Sequence, residues 1–538
     1  MSARRLPSRV RRGVWFLALA LLCAGCAREQ ATPAATAIAA PDEPRAANVQ
    51  PAVVVQPTVV VQPTANVPPE ATSDGEEPPE ASLRELTVFY TNDEHGWMEG
   101  TEPGLGAANL MGLWREAGYE EDGPYLVLSG GDMWTGPAIS TWFEGQSMAE
   151  VLNGMGYAAA AVGNHEFDFG LEALRARSLQ SDFPFVSANV RDASGATPQE
   201  WGIEPYVVIE RNGIQVGIVG LTTTSTPVTT NPNNLRDLQF LDYEDALREI
   251  VPQARADGAE LLLVAGHLCR SELETLAHNV GDLDLHFMGG GHCNELFTQT
   301  IAGTVLVGGG YHLTSYARVD FLFDTDSDTV LQASAETARN TPAAAPDEDF
   351  AAIVGRWQAR AAEELDVVIG YSERGLPRRS DRMLALVTES WLWAYPTADV
   401  AITNSGGFRA ALPPGEITFA DVVGVLPFNN VLVEVELSGE QLLKVLAQGS
   451  AVAGGARPGT GEWILKRTGQ PIRPEGTFHV LVNDFMYAGG DDYGMLAQFD
   501  PQSYNTAIDW RQPVIDWILA QASSPAAPLD EAFAGLAR

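Results

Sequence analysis

Lysine is almost missing from this chain of 538 residues: Lys444 and Lys466 are the only two, and every other fixed cation is an arginine. Cations as a class are outnumbered, 33 Lys and Arg against 70 Asp and Glu, for a formal charge of -37. So negative a surface repels nucleic-acid polymers and anionic membranes, and neither is expected as a partner of the folded part. Cysteine is scarce too, with four residues, too few for a disulfide framework. Long apolar runs are absent except at the very start, which excludes a polytopic membrane protein. Histidine occurs eight times, so where each one falls is informative.

The one apolar run belongs to a secretory signal over residues 1–25. Arg4, Arg5, Arg9, Arg11 and Arg12 form its basic head, Val14–Leu22 its short apolar stretch, and small residues follow. Leu22-Cys23-Ala24-Gly25-Cys26 reads as a lipobox, making Cys26 the expected site of a lipid anchor. The anchor would be the only membrane contact of an exported surface or periplasmic protein. The alternative is ordinary cleavage near Ala24 or Gly25, leaving a soluble protein. Residues 26–83 are rich in Ala, Pro and Val, with Val-Val-Val-Gln-Pro-Thr repeated at 53–58 and 59–64. That composition predicts a disordered or polyproline-like tether.

A chain of this length exceeds one ordinary core. From 84 to 325, short β-rich runs alternate with helical segments, the pattern of an α/β layered fold. The runs are 86–91, 125–129, 185–189, 216–221, 261–265 and 283–288. A linker and amphipathic helix are expected over 326–366, a second folded region over 367–520, and a tail of undefined structure over 521–538.

Several of the runs lead straight into loops holding His, Asp or Asn, the place where α/β sheets bind ligands. The loops are Asn92-Asp93-Glu94-His95, Gly130-Gly131-Asp132, Gly163-Asn164-His165-Glu166-Phe167-Asp168, Gly266-His267 and Gly291-His292-Cys293-Asn294. A dinuclear metal site needs carboxylate oxygen, imidazole nitrogen and one carboxylate able to bridge. Asp-x-His supplies the first two from one loop, and an Asp in a Gly-rich turn can approach both ions. One such loop alone is usually structural. Five in order, taking four of the eight histidines, form a joint signal; His278, His286, His312 and His479 are read as structural.

In this order the loops resemble the calcineurin-type metallophosphatases, and Gly163-Asn164-His165-Glu166-Phe167-Asp168 is similar to the motif of the 5'-nucleotidase family. The resemblance spans roughly 85–520. It implies a four-layer metallophosphatase domain, with β-sheets flanked by helices, joined by a helix to a smaller α+β substrate-binding domain. It implies two divalent metal ions, zinc, manganese or similar: one on Asp93, His95, Asp132 and Asn294, the other on Asp132, Asn164, His267 and His292. His165 and Asp168 become a catalytic dyad, the histidine cation stabilising the transition state or aiding the leaving oxygen. Asp168 can also be read simply as an acid at a helix start.

In the second region, Asn404-Ser405-Gly406-Gly407-Phe408-Arg409, Leu426-Pro427-Phe428-Asn429-Asn430 and Asn483-Asp484-Phe485-Met486-Tyr487-Ala488-Gly489-Gly490-Asp491 resemble the substrate motifs of the same family. By that resemblance Phe428 and Phe485 stack a base, Asp491 binds ribose, and Arg409 contacts phosphate with Asn404 and Asn430 assisting. The family's Gly-Asn-Leu segment is missing from Pro377-Arg378-Arg379-Ser380-Asp381-Arg382-Met383-Leu384, which leaves open whether Arg378 or Arg379 is the second phosphate cation.

The implied activity is extracytoplasmic hydrolysis of a nucleoside 5'-monophosphate, a small-molecule substrate, to nucleoside and phosphate. Rivals of the same build are a UDP-sugar hydrolase, a 2',3'-cyclic-nucleotide phosphodiesterase/3'-nucleotidase and a thiosulfohydrolase; a rival of another class is a non-catalytic surface binding lipoprotein. Cys269 and Cys293 each lie within two residues of an expected ligand, and a disulfide, two free thiols and thiolate coordination all stay open.

Overall fold

Successive residues of the strand Leu83–Thr91 serve different cores, as the period of two requires. Leu86, Val88 and Tyr90 face one apolar layer and Phe89 the opposite one. In Leu261–Gly266 likewise, Leu261, Leu263 and Ala265 join that first layer while Leu262 and Val264 face away. The shared layer is the contact between two sheets, and each outward face is covered by helices. A computed structural model describes residues 59–61, 82–102, 104–235, 237–342 and 345–536 of the chain. The signal expected at 1–25, the lipid site at Cys26 and most of the tether lie outside the described residues.

One sheet has eight strands in the order Val59–Val61, Thr329–Arg339, Ser315–Asp324, Leu83–Thr91, Tyr125–Ser129, Tyr157–Ala161, Phe185–Val186, Ile203–Glu204. From Leu83–Thr91 onward these run parallel. The second has six, with Ile214–Leu221, Leu261–Gly266, Phe287–Gly290 and Thr304–Gly309 parallel at its centre. Helices Ala107–Glu116, Gln146–Gly154 and Leu171–Gln180 cover the first sheet, and Tyr243–Ala256 and Arg270–Asn279 the second. The result is the expected four-layer α/β/β/α arrangement.

The helix expected before residue 366 is Glu348–Leu365, started by Asp347, whose carboxylate accepts from the N–H groups of Asp349 and Phe350 at 3.0 and 3.2 Å. It packs Phe350, Val354 and Trp357 into the core of the first sheet, and Leu365 meets Ala138 and Val423. After it, five strands form a sheet in the order Ala451–Gly454, Val400–Asn404, Thr477–Asn483, Val431–Ser438, Tyr504–Asp509. One face packs on Asp381–Ala394 and Gln512–Ala520, the other on Gly439–Leu446 and Met495–Phe499.

Three expectations change. Part of the 326–366 linker is the strand Thr329–Arg339, paired along its length with Ser315–Asp324; its Ala- and Ser-rich alternation hides it from a hydrophobicity reading. Val59–Val61, inside the expected tether, pairs antiparallel with Ala333–Ala335. The 521–538 tail contains the helix Asp530–Leu536, which buries Phe533 against Trp517 at 6.1 Å between ring centroids. Of the six expected runs, 125–129 coincides with its strand and the others differ at their ends, most of all 283–288, whose start is a 3-10 turn at Gly281–Leu283 before the strand Phe287–Gly290; the strands Tyr157–Ala161, Tyr206–Arg211, Leu296–Ile301, Thr304–Gly309 and Ser315–Asp324 lie outside those runs.

Candidate active site

The carboxyl ends of the parallel strands deliver their loops to one cavity of about 230 Å³. Its wall includes Asp93, His95, Asp132, Asn164, His165, Asp168, His292 and Asn294, and from the other half Asn404, Arg409, Phe428, Asn430, Phe485 and Asp491. His267 lies behind Asp132, fully buried.

Asp132 is the centre. Its Oδ1 accepts from the His165 backbone N–H at 2.8 Å. Its Oδ2 stands 3.0 Å from His267 Nε2, 3.8 Å from His95 Nε2 and 4.0 Å from His165 Nε2. The turn depends on glycine: Gly131 has φ 84°, and a Cβ on Gly163 would overlap the Asp132 carboxylate. Asp93, His95, Asp132, His292 and Asn294 all have φ between 48° and 69°, a left-handed backbone that side-chain-bearing residues adopt at a cost.

The imidazoles are aimed by their far nitrogens. His95 Nδ1–H donates to the Thr135 carbonyl at 2.9 Å and His267 Nδ1–H to the Gly130 carbonyl at 2.7 Å, so both Nε2 lone pairs face the cluster. Asp93 Oδ2 accepts from Asn92 Nδ2 at 2.6 Å and the His292 N–H at 3.0 Å, leaving Oδ1 3.8 Å from His95 Nε2.

Among the described residues two groups can therefore hold a cation: His95, Asp132 and His165; and Asp132, His267 and His292, each with its donor atoms within 4.8 Å of one another. Two further observations fit metal. Among the described residues Asn164 Oδ1 is buried without any hydrogen-bond partner, an expensive state for a polar atom unless a ligand satisfies it, and His267 Nε2 is buried with the Asp132 carboxylate alone beside it at 3.0 Å. The donors are carboxylate, imidazole and amide, which suits borderline divalent ions.

The charges are strongly interlocked. Burial alone would raise the Asp132 carboxyl, but His267, His165 and His95 hold it well below the usual range. Burial raises Asp93 to about 6 despite His267. Burial, with Arg409 and His267 respectively, pushes His95 well down and His292 to about 4.

His165 Nδ1–H donates to Asp168 Oδ2 at 2.7 Å, and Asp168 Oδ1 accepts from Thr230 Oγ1 at 2.8 Å. Burial opposes the His165 cation, yet Asp168 and Asp132 outweigh it and the net shift is upward. Across the cavity, Phe428 stacks against the His165 ring at 5.7 Å, and Arg409 Nη2 donates to His95 Nε2 at 3.3 Å. Asn404 Nδ2 donates to Asp491 Oδ2 at 2.8 Å, which ties two of the expected substrate contacts together.

Arg378 and Arg379 do not line the cavity. Their Nε atoms donate to the carbonyls of Phe408 and Ser405, at 2.9 and 3.0 Å, so both brace the segment that carries Arg409. Partial burial, then Arg379 and Arg409, push Arg378 down to about 10.

The sequence reading missed four features. His312, taken as structural, stacks on Trp97 at 4.9 Å and meets the His95 ring at 5.7 Å. Glu166, inside a quoted motif but without a role, accepts from the N–H groups of Asp132, Met133 and Gly163 at 2.8, 2.7 and 2.6 Å and so clasps two ligand loops. Glu94 is buried under Thr91 and Ser129, and burial raises it to about 8. The loop 222–234 contributes Thr229, Thr230 and Asn231 to the wall. Cys269 and Cys293 are bridged, with Cα atoms 5.1 Å apart, closing the question the sequence left open.

A family model described as the 5'-nucleotidase C-terminal domain matches residues 359–498. A 5'-nucleotidase of Vibrio cholerae is 26% identical over 525 residues, covering 85% of this chain and 93% of that protein. Protein UshA of Yersinia enterocolitica is 26% identical over 492 residues, covering 79% and 89%. The crystal structure of a 5'-nucleotidase precursor from Thermus thermophilus superposes with TM-score 0.70 at 26% identity, over 82% of this chain and 97% of that one. With a pocket of histidines and carboxylates able to hold metal where the strands end, a 5'-nucleotidase C-terminal domain over 359–498, and similarity to 5'-nucleotidases over nearly their whole lengths, the chain is built as a metal-dependent phosphoric ester hydrolase.

Proposed function

We propose that this chain hydrolyses nucleoside 5'-monophosphates to nucleoside and phosphate. The observation that carries the reading is the make-up of one cavity wall: Asp132 with His95, His165 and His292 on one side, two phenylalanines, an arginine and Asp491 on the other. Asp93, His95, Asp132 and Asn294 would hold one divalent ion, and Asp132, Asn164, His267 and His292 a second. Such ions supply positive charge against phosphoryl oxygens and acidify an attacking water.

The chain's own residues do the rest. Arg409 sets a guanidinium beside His95, where a phosphoryl oxygen can accept from it. Phe428 and Phe485 offer faces to a base, and Asp491 can accept from ribose hydroxyls. As the phosphorus–oxygen bond to the 5'-carbon breaks, the leaving oxygen takes a proton from His165 Nε2. Asp168 fixes the ring through Nδ1 and favours the cation that carries that proton. His165 is assigned to proton transfer because Asp93 Oδ1 already offers His95's ion an oxygen.

Export rests on the N-terminal signal and the Cys26 lipobox, and the Cys269–Cys293 bridge supports an oxidising compartment. Among the described residues no helix is long and apolar enough to cross a membrane.

The experiment is phosphate release from a panel of nucleoside 5'-monophosphates, UDP-glucose, 2',3'-cyclic nucleotides and 3'-nucleotides, after EDTA treatment and again after adding back single metals. Metal-restored hydrolysis led by 5'-monophosphates is expected. Release confined to UDP-sugar or cyclic substrates would move the assignment to those rivals, and no release with any metal would favour the binding lipoprotein.

A further inference from the structure

We infer that the loop 222–234 couples the base-reading loops to the His165–Asp168 pair, with Thr230 and Asp484 as positioning residues. The inference deepens the proposed function and rests on its dyad.

Thr230 is 1% exposed and spends its hydroxyl on Asp168 Oδ1 at 2.8 Å. The other oxygen of Asp168 receives the His165 Nδ1–H at 2.7 Å, and the Asp168 backbone carbonyl receives Asn234 Nδ2 at 2.8 Å. The rotation of the Asp168 carboxylate, and with it the aim of the imidazole, is thus set from this loop.

The next residue reaches the opposite way. Asn231 Nδ2 donates to Asp484 Oδ2 at 3.2 Å, and Asn231 Oδ1 accepts from the Asn233 N–H at 3.1 Å, which fixes the amide's orientation. Asp484 directly precedes Phe485, and its Oδ1 accepts from the Val431 N–H at 3.1 Å, next to Asn430. One carboxylate therefore holds both loops of the ring pair and a loop from the other half. Thr230 and Asn231 share a planar peptide unit, so a shift at Asn231 is passed to Thr230. Seating a base between Phe428 and Phe485 fixes Asp484, and Asp484 fixes the dyad. A purely local role for Asp484, as the first residue of the short helix Asp484–Ala488 that Asn483 caps, would need no partner across the cavity.

The test uses the full-length, metal-loaded protein with Thr230→Val, Asp484→Ala, the double variant and Thr230→Ser. With p-nitrophenyl phosphate, which has no base, each single variant is expected to lower kcat about tenfold, as for a lost hydrogen bond to a charged group, with little change in KM. Metal content stays at the wild-type level and Thr230→Ser restores turnover. The double variant falls no further than the worse single, because both cut one chain of contacts. An Asp484→Ala effect confined to KM for nucleotides, or multiplying losses in the double variant, overturns the coupling. The same cycle on thermal midpoints needs no turnover: non-additive midpoints support the coupling and additive ones overturn it. If the wild type releases no phosphate, the functional reading fails while the midpoint cycle still decides this one.

Discussion

The two sides of the cavity are shaped by different physics. On the ligand side, Asp93, His95, Asp132, His292 and Asn294 all sit in the left-handed backbone region, Asp132 held there by the Glu166 clasp. On the reader side, Phe428, Phe485, Arg409 and Asn404 have ordinary backbones, and Asp491, with φ 49°, is the exception. Those residues are placed by packing instead: Phe428 lies 6.4 Å from Trp510, and Phe485 is buried within the C-terminal core. A left-handed residue costs about 1–3 kcal/mol, and the fold maintains five of them where donor atoms must converge. A ligand wall built this way should fail all at once, whereas a packed reader wall should fail by degrees.

The sharpest break of that contrast is Asp132→Ala. It removes the carboxylate common to both cation-capable groups, so at least one metal equivalent and nearly all turnover should be lost, measured by elemental analysis and phosphate release. His165→Ala should separate chemistry from coordination on the same wall: both metals stay and kcat falls by roughly 10²–10⁴. Full metal content and normal turnover in Asp132→Ala would sink the shared-ligand picture, and loss of metal in His165→Ala would make that histidine a ligand.

A smaller effect tests the reader side. Phe485→Ala should raise KM for nucleotides roughly 5- to 150-fold, the worth of one lost stacking face, while p-nitrophenyl phosphate is spared. Phe428→Ala should not be so selective. Its ring also stacks on His165 at 5.7 Å, so kcat on p-nitrophenyl phosphate should fall as well. Equal damage to both substrates by both variants would make the rings plain core residues.

The same contrast explains what could be read before the structure. Ligand loops are legible because several place a chemically distinctive residue at the end of a recognisable strand, as the run 125–129 does for Asp132; the Ala-rich strand Tyr157–Ala161 before Asn164 is not, and there the motif itself carries the signal. The helix Glu348–Leu365 was legible from its periodicity. Supporting residues were not. Glu94 and Glu166 look like solvent-facing acids until their backbone and hydroxyl donors are seen. Thr230 and Asn231 sit in a Thr- and Asn-rich stretch that reads as an ordinary turn, and their roles exist only through Asp168 and Asp484, far away in sequence. His312 lies outside the five ligand loops and so reads as structural, yet the fold brings it against His95. Choosing between Arg378 and Arg379 failed for a different reason: both guanidinium groups brace the backbone around Arg409.

The smallest expected effect on turnover concerns the bridge between Cys269 and Cys293. Cys269 starts the helix Arg270–Asn279 two residues after His267, and Cys293 adjoins His292, so the cross-link spans the two histidines of one cation-capable group. The two histidines are not equally secure. His267 is buried and fixed through Gly130, whereas the His292 side chain, among the described residues, has one weak hydrogen bond to Ser225 Oγ at 3.4 Å and the edge of the His267 ring at 5.2 Å. Without the bridge, His292 should wander first. Cys269→Ser with Cys293→Ser should keep the fold and leave kcat at saturating metal within a few-fold, while the cation shared by His267 and His292 leaves faster. EDTA-driven metal release, followed with a chromogenic chelator, should accelerate in the double variant and in reduced wild type. The thermal midpoint should drop, since closing a loop of this length typically contributes about 2–4 kcal/mol. Release rates identical with and without the bridge would mean that the backbone turn at His292 suffices, and that the ligand wall needs no covalent support.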